Sequence, residues 1–217
     1  MSQELILLEL LMTKLCHDLS APIGAVYNGV EFLESEDNPA LLENPAYELV
    51  SSNAQIAVKK LKFFRYIYGK SDAKGEVDTQ YLKQIVEDFF ADTKIKLELH
   101  QGQKYVALTG GAAKLVAVLC YIASFFLIYG GKITVNIERR PGVKAVQINA
   151  ISEQNLKQSW NLEAVMADTE LKEIRLSNAI VYLAAIIARE LKVKLITRQL
   201  TNELFIDFEF KNSEFDI

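Results

Sequence analysis

Residues 15–25 read LCHDLSAPIGA: His17 is followed at once by Asp18, and Pro22 stands five positions after the histidine. Apolar residues on either side, Leu5, Leu8, Met12, Leu15, Leu19, Ile23, Val26, Val30 and Leu33, recur at steps of three and four. That spacing predicts one long amphipathic helix from Ser2 to Glu36 with a heptad-like seam, roughly 50 Å long at about 1.5 Å per residue. At about 100° per residue His17 points away from the Leu15/Leu19 stripe. Its own face carries Thr13, Ala21, Gly24 and Asn28, all small or polar, so another protein can approach the imidazole. Pro22 lacks the N–H that would bond the Asp18 carbonyl, and its ring crowds that carbonyl, so a kink beside His17 is expected.

Working outward, Ser35–Pro45 (SEDNPALLENP) has the composition of a connection between helices, and Ala46–Tyr68 resumes helical spacing with Leu49, Asn53, Ile56, Leu61, Phe64 and Ile67. Two long helices joined by a short loop form an antiparallel hairpin. Neither helix hides its apolar face fully against one partner, so two hairpins are expected to pair as a four-helix bundle in a homodimer. The polar, glycine-containing stretch Gly69–Asp78 marks a boundary, giving a helical hairpin at 1–70 and a second unit at 76–217. If the hairpin turns between Glu36 and Ala46, Lys59, Lys60, Lys62 and Arg65 lie near the height of His17. These cations either offset the acids of the first helix or meet an acidic partner.

In the second unit Asp78 is placed to cap a helix reaching about Ala91. Lys94–His100 and Lys104–Thr109 alternate like the strands of a hairpin around Gln101–Gln103. A mostly apolar helix is expected over Gly110–Tyr129, ended by Gly130-Gly131. Strands follow at Ile133–Glu138 and Val143–Ile151, a short helix at Leu162–Ala167, a helix at Glu173–Leu191, and strands at Lys194–Gln199 and Glu203–Phe210. The class is α+β: a hairpin followed by a two-layer α/β sandwich.

The 217 residues are 50% hydrophobic and 24% charged, enough for a packed core. A net charge of -4 gives no reason to expect a nucleic-acid partner. No apolar run reaches the about 20 residues of a membrane span, and the acidic start MSQELILLEL does not read as a secretory signal. Cys16 and Cys120, far apart in apolar surroundings, fit a reducing cytoplasm. Cys16 beside His17 has no second Cys/His pair at ligand spacing, so neither a metal site nor thiol catalysis is expected. His100 lacks the acid/proline context of His17 and reads as structural.

HDLSAP resembles the H-box of two-component signalling, in which a histidine on a dimerising hairpin carries a phosphoryl group. With the following GAVYNGVEFL, the hairpin is most similar to the ChpT-type histidine phosphotransferases of alphaproteobacteria. The second unit is similar in outline to the ATP-binding domain of histidine kinases, but its motifs depart from that family. Tyr121 and Phe125 stand where an amide ligand to magnesium is normal, NAISEQNLKQSW replaces an aspartate with spaced glycines, and no glycine follows Gly142. Backbone N–H groups in glycine turns cradle phosphates, so the expectation is a retained fold without ATP binding.

The resemblance implies transfer between response-regulator receiver domains through His17, assisted by Asp18, with no cofactor on this chain and magnesium only on the receiver. It implies receiver docking on Thr13, Lys14, Ser20, Ala21, Pro22, Gly24, Ala25 and Asn28, to which Lys62 and Arg65 are added from their height on the second helix. An unperturbed imidazole titrates near about 6.5 and is mostly neutral in the cytoplasm, as a nucleophile must be. The alternatives are an active, ATP-using histidine kinase and a non-catalytic dimeric adaptor.

Overall fold

The computed structural model describes residues 3–35, 45–69, 75–102, 106–154, 175–176 and 178–211. The stretch around His17 forms helix α1 (Gln3–Ser35) and the next helical run forms α2 (Pro45–Tyr68), packed along each other. The expected connection at 36–44, segment 70–74 of the expected boundary and the expected short helix at Leu162–Ala167 lie outside the described residues.

Gly29 sets how closely the two helices approach. A Cβ there would overlap the Val50 side chain and lie 3.4 Å from the Ala46 carbonyl oxygen, whereas a Cβ on Gly24 meets nothing within 4 Å. Each glycine weakens its helix by about 1 kcal/mol relative to alanine. Gly24→Ala should therefore raise the melting temperature. Gly29→Ala should lower it, because overpacking costs about 1–3 kcal/mol and outweighs the helical gain. Thermal unfolding checks the pair; equal stabilisation by both would mean that Gly29 does not hold the helices together.

Asp78 caps α3 (Thr79–Phe90), its Oδ1 accepting from the Gln80 N–H at 2.8 Å. A five-stranded sheet follows, built from β2 (Ile95–Gln101), β4 (Gly131–Arg140), β5 (Val143–Ser152), β7 (Glu203–Lys211) and β6 (Ile196–Gln199), in that spatial order. Helices α4 (Gly110–Ser124) and α5 (Ala179–Glu190) complete the second unit. One face of the sheet is apolar: Ile133, Val135 and Ile137 on β4, Val146, Ile148 and Ala150 on β5, and Leu204, Ile206 and Phe208 on β7 are all buried. That alternation is expected of a sheet covered on one side. Between Gly110 and Ala123 only Lys114 of α4 is not buried, so α4 is the centre of the core rather than an amphipathic cover.

Three local expectations are corrected. The helix expected over Glu173–Leu191 begins only at Ala179, after Asn178. Lys94–His100 does not pair with Lys104–Thr109. Instead β2 runs parallel to β4, Leu97 opposite Ile133 and Leu99 opposite Val135, with α4 in the crossover. Parallel pairing needs such a connection and leaves no local turn signal. The other segment forms only β3 (Leu108–Thr109), antiparallel to β1 (Glu76–Val77), with Val106 and Leu108 buried. The third correction is the end of α4, at Ser124 rather than Tyr129. Beyond it the N–H groups of Phe126 and Leu127 bond carbonyls three residues back, at 3.1 and 3.0 Å. Gly130 and Gly131, both at positive φ, then turn the chain into β4.

The hairpin is joined to this core. Phe63, Phe64 and Ile67 of α2 are buried in it, Leu15 and Leu19 of α1 pack against it, and Leu7 packs with Ala179 and Tyr182 of α5. Lys114 Nζ donates to the Gly69 carbonyl at 2.7 Å, and Lys59 pairs with Asp92 at 2.8 Å. Several residues expected in an intermolecular seam, Leu15, Leu19, Phe64 and Ile67, are thus used inside the protomer. Exposed apolar residues include Leu8, Met12, Ile23, Tyr27, Val30 and Phe32 on α1, with Tyr47, Leu49, Val58 and Leu61 on α2. An apolar stripe read from sequence does not reveal which partner covers it.

Candidate functional site

His17 stands on α1 with 77% of its side chain exposed. Neighbours on a helix diverge by about 100°, which argues against contact with Asp18. The structure nevertheless places His17 Nδ1 3.2 Å from Asp18 Oδ1. The Asp18 carboxylate is held by two further donors. Lys14 Nζ, one turn earlier, reaches Oδ1 at 3.0 Å, and the Tyr121 hydroxyl, from α4, donates to Oδ2 at 2.6 Å. Burial disfavours the charged carboxylate, but the hydrogen bonds from Tyr121, Lys14 and His17 outweigh it and hold the Asp18 pKa below its ordinary value. The Tyr121 hydroxyl is pushed far above the usual phenol range by burial and by its bond to Asp18, so it remains a donor.

Tyr121 sits in an aromatic cluster. Its ring centroid lies 5.7 Å from Phe63, 5.8 Å from Phe64, 5.5 Å from Phe89 and 4.8 Å from Phe125. Lys14 Nζ lies 5.9 Å from the Tyr121 ring centroid and 5.6 Å from that of Phe125, within cation–π range. Tyr68 also feels this carboxylate: burial, and then the charge of Asp18, raise its hydroxyl pKa above the ordinary range.

Pro22 is buried in α1. The carbonyl it leaves without an amide partner, that of Asp18, accepts from Lys60 Nζ of α2 at 3.4 Å. A lysine on the second helix therefore supplies a donor where the proline removed one.

The other residues singled out from sequence divide into two groups. Thr13, Ser20, Ala21 and Asn28 are exposed on α1, and Gly24 and Ala25 are half-buried. Ser20 Oγ donates to the Cys16 carbonyl at 2.7 Å. Lys14 is half-buried and engaged with Asp18 and the two rings, rather than projecting freely toward a partner. Lys62 and Arg65 do not converge with Lys60. Both are exposed and line a groove of about 640 Å³ with Tyr66, Tyr81, Gln84 and Asp88.

His100 contacts Glu98 at 3.3 Å. Cys16 is exposed, and Cys120 is buried, with its thiol pushed up to about 12 by desolvation. Among the described residues no group of three or more His, Cys, Asp or Glu is placed to hold a metal ion, and no helix is long and apolar enough to cross a membrane.

Sequence reasoning missed Tyr121 as part of this site, and it placed Lys60 near the height of His17 without its contact to the Asp18 carbonyl. Tyr121 was considered only as the replacement of a magnesium ligand. A tyrosine within an apolar helix nonetheless carries a hydroxyl that must find a partner when buried, and that signal was present.

The histidine phosphotransferase C-terminal domain family matches residues 79–199, more than half of the chain. Protein phosphotransferase ChpT of Brucella abortus (strain 2308) is 28% identical over 130 residues, a match spanning 59% of this chain and 59% of that relative's length. A solved structure of a bacterial phosphotransferase superposes with a TM-score of 0.78 at 22% identity, covering 94% of this chain and 96% of the other. The catalytic domain of histidine kinase ThkA superposes with a TM-score of 0.50 at 14% identity, covering 63% of this chain and 94% of that one. These likenesses in structure establish the fold: a helical hairpin joined to a sandwich of the histidine kinase ATP-binding type. With a family match that covers α3 through β6, the chain belongs to the histidine phosphotransferase family.

Proposed function

We propose that this protein is a phosphorelay intermediate: His17 accepts a phosphoryl group from the aspartyl phosphate of one receiver domain and passes it to an aspartate of another. The observation that carries this is an exposed imidazole whose Nδ1 faces a carboxylate already fixed by two other donors. With its proton on Nδ1 and shared with Asp18, the ring keeps the lone pair on Nε2 for attack. The N–P bond forms at Nε2 as the acyl-phosphate P–O bond breaks, and the receiver's carboxylate leaves with the electron pair. The ring gains positive charge in that step, and the neighbouring carboxylate stabilises it. Reversal onto a second receiver restores neutral His17. Magnesium is assigned to the receiver's own acidic site, and no cofactor to this chain.

Docking is assigned to the α1 surface around His17, through Thr13, Ser20, Ala21, Gly24, Ala25 and Asn28, beside the buried Pro22. Lys62 and Arg65 are a second, electrostatic contact along α2 for an acidic receiver surface. The protein works as a homodimer in the cytoplasm, its exposed α1 and α2 stripes facing a second copy.

The decisive experiment is incubation with a phosphorylated receiver and a search for acid-labile, alkali-stable label on this chain. Label is expected; its absence with several cognate receivers would overturn the proposal. ATP is expected to have no role. The Tyr121 hydroxyl is committed to Asp18, Phe125 is packed against its ring, and no glycine turn follows Gly142. Calorimetric titration with ATP and magnesium should give no heat beyond dilution, and micromolar binding would return the protein to the kinases.

A further inference from the structure

We propose that Tyr121 is a positioning residue for transfer: from the core of the α/β sandwich it orients the Asp18 carboxylate, and through it selects the His17 tautomer that leaves Nε2 free. The proposal rests on His17 being the phosphoacceptor.

The two oxygens of Asp18 have separate partners. Oδ2 receives the Tyr121 hydroxyl at 2.6 Å, while Oδ1 faces His17 Nδ1 at 3.2 Å and Lys14 Nζ at 3.0 Å. Lys14 alone does not fix this division. Its ammonium is a point donor on a flexible stem and serves either oxygen equally well. Tyr121 differs because its position is not its own to choose. It is 4% exposed, on a helix buried on nearly every side, with its ring held among Phe63, Phe64, Phe89 and Phe125. A short hydrogen bond from a fixed donor therefore anchors Oδ2, and Oδ1 is left turned along α1 toward the imidazole.

That orientation matters because His17 is itself mostly in water. The protonated nitrogen of a neutral imidazole is set by the hydrogen bond the ring makes, and water by itself favours the proton on Nε2. A proton there occupies the lone pair that attack requires. An anchored Oδ1 accepting from Nδ1–H reverses the preference. The hairpin by itself thus presents the nucleophile, and the second unit supplies the group that keeps it in its reactive form. The helix position read from sequence as a lost magnesium ligand takes on a different task.

Nitrogen-15 NMR of histidine-labelled protein, together with label transfer from a phosphorylated receiver, tests this. In the parent, neutral His17 should carry its proton on Nδ1. In Tyr121→Phe, which keeps the ring and loses only the hydroxyl, the proton should move toward Nε2 and transfer should slow roughly tenfold with receiver affinity unchanged. In an Asp18→Ala background, Tyr121→Phe should cause no further loss, since its effect passes through Asp18. A parent His17 protonated on Nε2 overturns the proposal without any variant, as does parent-like transfer by Tyr121→Phe. An equal loss with and without Asp18 would assign Tyr121 to packing alone and overturn it too. A parent that takes no label defeats the transfer reading of His17 instead, and the tautomer measurement still judges whether Tyr121 orients Asp18.

Discussion

A His17→Gln chain should fold like the parent and accept no phosphoryl group from a receiver. The side chain is 77% exposed and its hydrogen bond to Asp18 is to a carboxylate that Lys14 and Tyr121 hold without it. Surface substitutions of this kind change stability by about 0.5 kcal/mol or less. Glutamine keeps a polar side chain of similar reach but offers no lone pair able to attack phosphorus. Losing the only nucleophile of a transfer site removes at least on the order of a thousandfold in rate. His100 is not expected to substitute: it lies on strand β2 and faces Glu98, a carboxylate that Lys96 and Lys132 also hold, through Nε2 at 3.3 Å, so the nitrogen that stays free in His17 is the one engaged here. Acid-labile label remaining on His17→Gln would place the phosphoacceptor elsewhere. Unchanged far-ultraviolet circular dichroism and melting temperature would show that the loss is chemical.

The relation between sequence and structure differs from one part of this molecule to the next. The orientation of His17 was legible because helical rotation is local: about 100° per residue puts it on a different face from Leu15 and Leu19, and those two residues do pack inward. The β4–β5 hairpin was legible for the same reason, with Pro141-Gly142 at its turn and Gly142 at a φ of 77°. The partner of β2 was not, since a parallel neighbour across α4 leaves no mark in the strand's own alternation. The Asp18–Tyr121 bond joins residues 103 apart and had no pattern to announce it. Counting residues from the hairpin turn brought four cations to the level of His17, but height does not fix direction around α2. Lys60 is the one that meets the Asp18 carbonyl, and Lys62 and Arg65 turn to the groove by α3. The carbonyl freed by Pro22 was foreseeable; the lysine that answers it comes from another helix.

A Met12→Glu/Ile23→Glu chain should run as a monomer at concentrations where the parent is a dimer. Leu8, Met12, Ile23 and Val30 are 56%, 48%, 55% and 39% exposed in the protomer, and their steps of four, eleven and seven keep them on one side of α1. Tyr47, Val58 and Leu61 form a matching stripe on α2, at steps of eleven and three. Their rotation about α1 puts His17 roughly opposite this stripe, so a second copy seated there leaves the imidazole open to a receiver. Pairing about a two-fold axis doubles every change. Two substitutions place four carboxylates in one apolar seam, each costing several kcal/mol when desolvated without a partner. The choice of positions is decisive. Leu19→Glu, the obvious seam variant from sequence alone, would strike a residue that packs against the protomer's own core and would confuse dissociation with unfolding. Met12 and Ile23 touch solvent in the protomer, so their variants should keep the circular dichroism of the parent. Light scattering at micromolar concentration reads the result. A parent already of monomer mass would remove the dimer, and a dimer that survives both glutamates would move its interface to another face.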